Sequence, residues 1–245
     1  MLPEDILEKK LDLIKTGDLV TREDLISEYR SFVARAAIKV CGRGLEWDRD
    51  DELSISLIAF NEAIDRFDKT RGVPFPAFAR LIIKSRLMDY MRKQSRHVTN
   101  SGGSLDDLDG RDVSALEVSR AWDQFIDRES AKEREEEIKE YKNIIGQFGI
   151  TFDDLVKCSP KHRDARANLL RVSRALASDD TLFSQMMSTG KIPVLALSKL
   201  AEVHVKIVER GRKYIIATSV IWRYCEDLLY LCSFLRLPGK EARDT

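Results

Sequence analysis

The sequence predicts an all-α protein built of two helical domains joined by a flexible linker. Three observations carry that prediction. Nearly every long segment repeats apolar residues at three-to-four spacing, and no alternating strand or hairpin pair occurs. The 245 residues include only 12 Gly and 6 Pro, as suits long helices with few tight turns. The stretch VTNSGGSLDDLDGRD is rich in Gly, Ser and Asp and holds little to bury, which marks a linker over residues 99–112. The domains are then expected over 1–98 and 113–245.

Each element follows from its own signals. The first sixteen residues form an acidic amphipathic pattern that stops around Gly17. Thr21, with Asp24 three residues later, reads as the cap of a helix running to about Cys41. A third helix spans about Asp50 to Phe67, with Leu53, Leu57, Phe60, Ala63, Ile64 and Phe67 on its apolar stripe. A fourth starts at about Pro76, since proline suits a first helical turn and no interior position. Beyond the linker, ESAKEREEEIKEYK reads as a solvated, charged helix face. Ser159 and Pro160 cap a helix through KHRDARANLLRVSRAL, Asp179 opens a short helix stopped by Gly190, and Pro193 precedes a longer helical run. No internal repeat or low-complexity tract occurs.

Composition narrows the chemistry. With 43% hydrophobic and 33% charged residues the chain can bury a core beneath a heavily solvated surface. The formal net charge is +0, so any nucleic-acid binding must act through local patches. Cys41, Cys158, Cys225 and Cys232 show no metal-ligand spacing, and Cys225 and Cys232, seven apart, would share one helix face as core residues. Free thiols and a reducing compartment are therefore expected, with no metal and no cofactor. The opening MLPEDILEKK lacks the apolar segment of a signal peptide. The most apolar run, SVIWRYCEDLLYLCSFLRL, carries Arg223, Glu226 and Asp227, so it reads as a buried helix instead of a membrane span. A soluble, cytoplasmic protein is the expectation.

The stretch RGVPFPAFARLIIKSRLMDYMRKQSR, Arg71 to Arg96, holds the most chemistry. At 100° per residue Leu81, Ile83, Leu87, Met88, Tyr90 and Met91 fall on one broad face, and Arg86, Asp89, Arg92, Lys93 and Arg96 fall opposite. From Arg80 to Arg96 there are six basic residues against one acid. Charge alone fits an ordinary amphipathic helix. The aromatics add something: Phe75 and Phe78 sit where the chain enters the helix, and rings beside a cationic helix suit single-stranded nucleic acid. Bases stack on such rings for roughly 1–3 kcal/mol each while Arg and Lys track phosphates. Phe75 reads equally as a core staple, whereas Phe78 is favoured for stacking.

Here the residues resemble a known family. The run DDELSISLIAFNEAIDRFDKTRGVPFPAFARLIIKSRLMDYMRK is similar to region two of bacterial sigma factors of the sigma-70 family. Ala63, Phe67, Asp68, Arg71, Gly72, Phe75, Phe78, Ala79 and Lys84 match its pattern without a gap. The likeness covers about residues 28 to 97, and the lack of middle regions with an unusual C-terminal domain is most like the sigma-I branch. The resemblance implies that Leu53, Ser54, Leu57, Asn61, Asp65 and Arg66 meet the clamp helices of the largest subunit of core RNA polymerase. It implies that Phe78 takes up an unstacked base of the minus-ten element, and that Lys84, Ser85 and Met88 read its upstream edge. Phe75, Arg80, Arg86, Arg92, Lys93 and Arg96 complete the expected minus-ten surface. Primary members carry a tryptophan pair where this chain has Leu81 and Ile82, so the aromatic wedge at the duplex fork is missing here. Pro76 and Ala77 likewise replace a usual pair of small hydroxyl residues.

Further on, PVLALSKLAEVHVKIVERGRKYIIATSVI reads as a helix-turn-helix over about 194–222, or else as a plain helical hairpin. The first helix would be Leu195 to Ala201, the turn Glu202 to His204, and the second helix would start at about Val205. Ser198, Val203 and Val208 supply the small and apolar positions, while Glu202 stands where Gly is common. From Lys199 to Lys213 there are five basic residues against two acids. Downstream of a sigma-like region two, this motif resembles the minus-thirty-five reader, with His204, Lys206, Glu209, Arg210, Arg212 and Lys213 facing promoter DNA.

The histidines His97, His162 and His204 are scattered, and no catalytic grouping, Walker loop or dinucleotide fingerprint occurs. The expected function is an alternative sigma factor that binds core polymerase, selects promoters and opens the minus-ten element; the alternative is a self-sufficient helix-turn-helix regulator. An enzyme is not expected. The resemblance further implies a membrane-anchored anti-sigma factor that binds the C-terminal domain.

Overall fold

The computed structural model describes the backbone of residues 4–99 and 115–235 and the side chains of residues 5–95 and 121–235. The expected linker at 99–112 lies almost wholly outside the described residues. Every regular element among them is helical. The chain divides into two compact units, Met1–Glu133 and Arg134–Thr245.

The first unit contains α1 (Glu4–Lys15), α2 (Leu19–Glu28), α3 (Arg30–Cys41), α4 (Asp51–Arg66), a 3₁₀ turn (Lys69–Arg71), α5 (Phe75–Thr99) and the first part of α6 (Ala115–Gly146). α5 packs on α3 and α4. The sequence joins α2 and α3 into one helix, but the structure breaks it at Tyr29. Tyr29 is only 2% exposed, and its ring stacks on Phe60 with centroids 5.6 Å apart. Phe75 meets Tyr29, Phe60 and Phe67 edge-on at 6.4, 5.5 and 5.2 Å. Such pairs contribute roughly 0.5–1.5 kcal/mol each beyond their burial, so this aromatic cluster outweighs one continuous helix. The cap of α2 also moves: the Asp18 carboxylate accepts the Thr21 N–H, so Thr21 is already inside the helix.

The second unit holds the rest of α6, then α7 (Phe152–Cys158), α8 (Arg163–Ser178), α9 (Asp180–Thr189), α10 (Val194–Leu200), α11 (Val205–Arg223) and α12 (Leu229–Ser233). α11 is its axle, packed on α7, α8 and α10. α8 and α11 approach closely at Gly211, where a Cβ would stand 2.6 Å from Leu169 Cδ2. Two polar bonds cross the buried interior. Thr218 donates to Ser173 at 2.5 Å, and Tyr141 donates to the Ala217 carbonyl at 3.0 Å, with burial pushing the Tyr141 hydroxyl's pKa upward. α8 starts at Arg163 with His162 as its cap, three residues later than Ser159–Pro160 suggests.

The apolar run at 219–237 is not one helix. α11 ends at Arg223, the chain turns over Tyr224–Leu228, and α12 begins. Glu137 of α6, 4% exposed, causes the restart: its carboxylate accepts the N–H groups of Leu229, Tyr230 and Leu231 at 3.0, 2.9 and 3.4 Å. A buried carboxylate thus satisfies the donors that a new helix leaves open. The turn also corrects the cysteine expectation. Residues seven apart on one helix lie roughly 10 Å apart, but here Cys225 and Cys232 have Cα atoms 5.3 Å apart and form a disulfide, while Cys41 and Cys158 are free. No helix among the described residues is long and apolar enough to cross a membrane.

Candidate nucleic-acid interface

The loop before α5 sets the site. Gly72 takes φ of 65°, the left-handed conformation that glycine reaches without a Cβ penalty. Pro76 falls in the first turn of α5, where its missing N–H leaves nothing unpaired. The first half of this helix is then buried almost all round: Phe75, Ala77, Phe78, Ala79, Leu81, Ile82 and Ile83 are each at most 6% exposed. That bears on two expectations, of which the core reading of Phe75 is one. Phe75 is a core residue, and Phe78 packs on Phe67 at 5.8 Å, so neither ring presents a face on which a base could stack. Both follow α5 into the space between α3 and α4, where burying a ring outweighs displaying it. Leu81 and Ile82, at the missing wedge, are equally enclosed.

Four of the described cations of α5 are already engaged in ion pairs. Arg80 reaches Glu133 at 3.0 Å, with both side chains under 15% exposed. Lys84 meets Glu129 at 3.3 Å. Arg86 clasps Glu62 through two bonds of 2.8 and 2.6 Å, and this hydrogen bonding holds the Glu62 carboxyl below its ordinary range. Arg92 pairs with Asp89 at 3.3 Å. Met88, expected on the apolar face, is 49% exposed, Ser85 is half-buried, and Lys93 lies open. The side chain of Arg96 lies outside the described residues.

α4 supplies the neighbouring surface. Leu53 is fully buried, whereas Ser54, Asp65 and Arg66 are exposed and Leu57 and Asn61 are half-buried. Arg22 ties two of these from below, donating to Asn61 Oδ1 at 2.9 Å and pairing with Asp65. Sequence reasoning missed Ile58, which is 70% exposed. It escaped notice because it interrupts the polar face of α4, and a lone exposed apolar residue has no periodic signal. With Ile55, Ala59, Arg86, Asp89, Tyr90, Arg92 and Lys93 it lines a groove of about 450 Å³ between α4 and α5.

In the second unit the expected helix-turn-helix is present as α10, a tight turn and α11. Glu202 adopts the left-handed φ of 52° that this turn requires, so it does without the usual Gly. His204 caps α11, its Nδ1 accepting the Lys206 N–H at 3.2 Å. Lys206, Glu209, Arg210 and Arg212 are exposed. Lys213 is turned aside, donating to Asp154 at 2.9 Å. Asp154 belongs to the capping box that Thr151 forms at the start of α7. The TFDD spacing could have revealed that box, but not its reach to Lys213.

Comparisons with known proteins agree with this geometry. The sigma-70 region 2 family matches residues 25–97, which covers α3, α4 and nearly all of α5. The chain is 35% identical over 232 residues to RNA polymerase sigma factor SigI of Bacillus subtilis (strain 168), covering 94% of this chain and 91% of that protein. It is 37% identical over 221 residues to RNA polymerase sigma factor SigI6 of Acetivibrio thermocellus, covering 89% and 85%. Against SigI1 of the same organism identity is 38% over 210 residues, covering 86% and 80%.

Proposed function

The chain belongs to the sigma-70 family of RNA polymerase sigma factors, in its SigI branch, and on that premise we propose how its two units divide the work. It is an alternative sigma factor that directs RNA polymerase to promoters. The exposed face of α4, namely Ser54, Leu57, Ile58, Asn61, Asp65 and Arg66, docks on core polymerase. Leu53 supports that face from the core. Lys84, Ser85, Arg86, Met88, Arg92 and Lys93 on α5, with Arg80 and Arg96, meet the minus-ten element. The first turns of α11, carrying His204, Lys206, Glu209, Arg210, Arg212 and Lys213, enter the major groove of the minus-thirty-five element.

The observation that carries this reading is one chain holding two separate DNA-suited helices beside a partly apolar face. α5 is cationic and borders the groove at Ile58, while α11 is preceded by a short helix and a tight turn. Phe75 and Phe78 are not assigned as base receivers in the free protein, because both are core residues. The net charge of +0 adds a consequence: free protein should bind duplex DNA weakly, since affinity at physiological salt scales with phosphates neutralised. An anti-sigma factor, membrane-anchored and seated on the second unit, completes the proposal; the exposed Leu195, Leu200 and Ile207 offer it apolar surface.

Run-off transcription with purified core polymerase on a promoter library tests the reading. A specific start that depends on this protein supports it. No specific start at all would sink it.

A further inference from the structure

The segment ESAKEREEEIKEYK reads from sequence as a solvated face, yet the structure employs its glutamates. In the first unit α6 lays one side against the expected minus-ten and polymerase surfaces. Asp123 bonds Arg71 at 2.8 Å, Glu129 bonds Lys84 at 3.3 Å, and Glu133 bonds Arg80 at 3.0 Å. Trp122 lies 4.4 Å from the Arg66 guanidinium. These residues recur at helical spacing, so they form a single stripe.

The way this stripe is held is informative. Between Ala121 and Glu133 the fully buried apolar side chain is Ile126, with Ser130 beside it; Phe125 is 40% exposed. The attachments named above are charge pairs and one cation–π contact. A helix meant as permanent core would bury an apolar stripe of its own. Carboxylates also present to Arg and Lys the same charge-assisted hydrogen bonds that phosphate oxygens offer. Glu129 and Glu133 therefore occupy the places on Lys84 and Arg80 that a DNA strand would need.

We propose that the first part of α6 is a releasable acidic strap that substitutes for DNA phosphates on the minus-ten face of the free protein. The inference rests on the promoter reading above. Its stripe spans both expected partner surfaces, touching Arg66 at one end and Arg80 and Lys84 at the other. Polymerase docking on α4 removes the Trp122 contact, which loosens the strap, and the strand then takes over the two cations. Since only one state can hold Arg80 and Lys84, strap and strand compete, and either partner shifts the balance toward the open state.

The test uses the full chain and a fluorescein-labelled oligo(dT) of about 20 nucleotides, followed by anisotropy at about 100 mM salt. The double variant Glu129→Gln/Glu133→Gln is expected to bind about tenfold tighter than wild type, as suits release of two partly buried pairs. Its log–log salt slope should steepen by about 1.4, the single-strand value for two additional phosphates. The control Glu135→Gln/Glu136→Gln makes the same charge change on exposed positions and should shift affinity less than about twofold. Equal gains in both variants, or no gain in the first, overturn the strap. Should the double variant unfold by circular dichroism, Glu129→Gln alone, at the more exposed pair, should still tighten binding about threefold, and an unchanged affinity there overturns it too. Run-off transcription by the wild type separates the failures: a specific start without an affinity gain sinks only the strap, whereas no start sinks the promoter reading beneath it.

Discussion

In the first unit, Arg80 and Lys84 sit beneath Glu133 and Glu129 with their helix half embedded in aromatic core. In the second, Lys206, Arg210 and Arg212 stand exposed on the opening turns of α11, and Lys213 has a carboxylate partner among the described residues, Asp154. Both helices carry cations suited to DNA, yet one surface is covered and the other displayed. The difference teaches that a basic helix is defined by what packs over it as much as by its own residues. On the proposed division of work, the covered surface of α5 suits a reader that acts after the duplex has opened. On the same proposal the displayed first turns of α11 suit a reader that meets ordinary duplex.

The largest expected effect tests whether the α5 aromatics are structural. Phe75→Ala should cost about 3–5 kcal/mol in urea-induced unfolding, because it empties the centre of a four-ring cluster. A loss below about 1 kcal/mol would return Phe75 to the list of exposed readers. Next comes the other half of α6. Glu137→Ala should cost about 3 kcal/mol, since it leaves three backbone donors at the start of α12 without their buried acceptor. If Glu129→Gln/Glu133→Gln proves as costly as that change, the contrast between a removable strap and a structural cap fails.

The displayed surface is tested by Arg210→Ala in holoenzyme. Promoter binding should weaken by about 1–3 kcal/mol with thermal stability of the free chain unchanged. An equal loss on promoters with and without a minus-thirty-five element would reduce Arg210 to a general phosphate contact. The smallest effect concerns Asp154. Its carboxyl is held at about 2, first by the Lys213 hydrogen bond and then by Thr151. A depressed folded-state value means that the stabilisation is present above the ordinary carboxylate range near 4 and is lost as pH falls toward 2. The stability difference between wild type and Asp154→Asn should therefore be constant at neutral pH and vanish across that acid window. A difference that grows on acidification would contradict the pairing.

Much of this was legible in residues. Helical periodicity located α1, α4, α9, α10 and the start of α11, because each buries one face against neighbours close in sequence. The expected breaks at Gly17 and Gly190 occur where glycine takes positive φ. What was not legible involves partners distant along the chain. Tyr29 breaks a helix for the sake of Phe60, and Glu137 starts another 92 residues away. Phe78 has the position of a base receiver in the sequence and the surroundings of a core residue in the fold. The glutamates of α6 look alike as letters, yet Glu129 and Glu133 cover cations, Glu137 caps a helix, and Glu135 and Glu136 face solvent.

By itself, then, the sequence determined an all-α chain, because periodicity and capping residues are local properties written in consecutive positions, and its likeness to sigma region two pointed to a promoter factor. Which cations are covered, which aromatics are core and which cysteines join was decided only by tertiary structure. Those outcomes depend on how the chain turns and on which residues the fold brings together, and a charge, a ring or a thiol acquires its role from whatever the fold sets a few ångströms away.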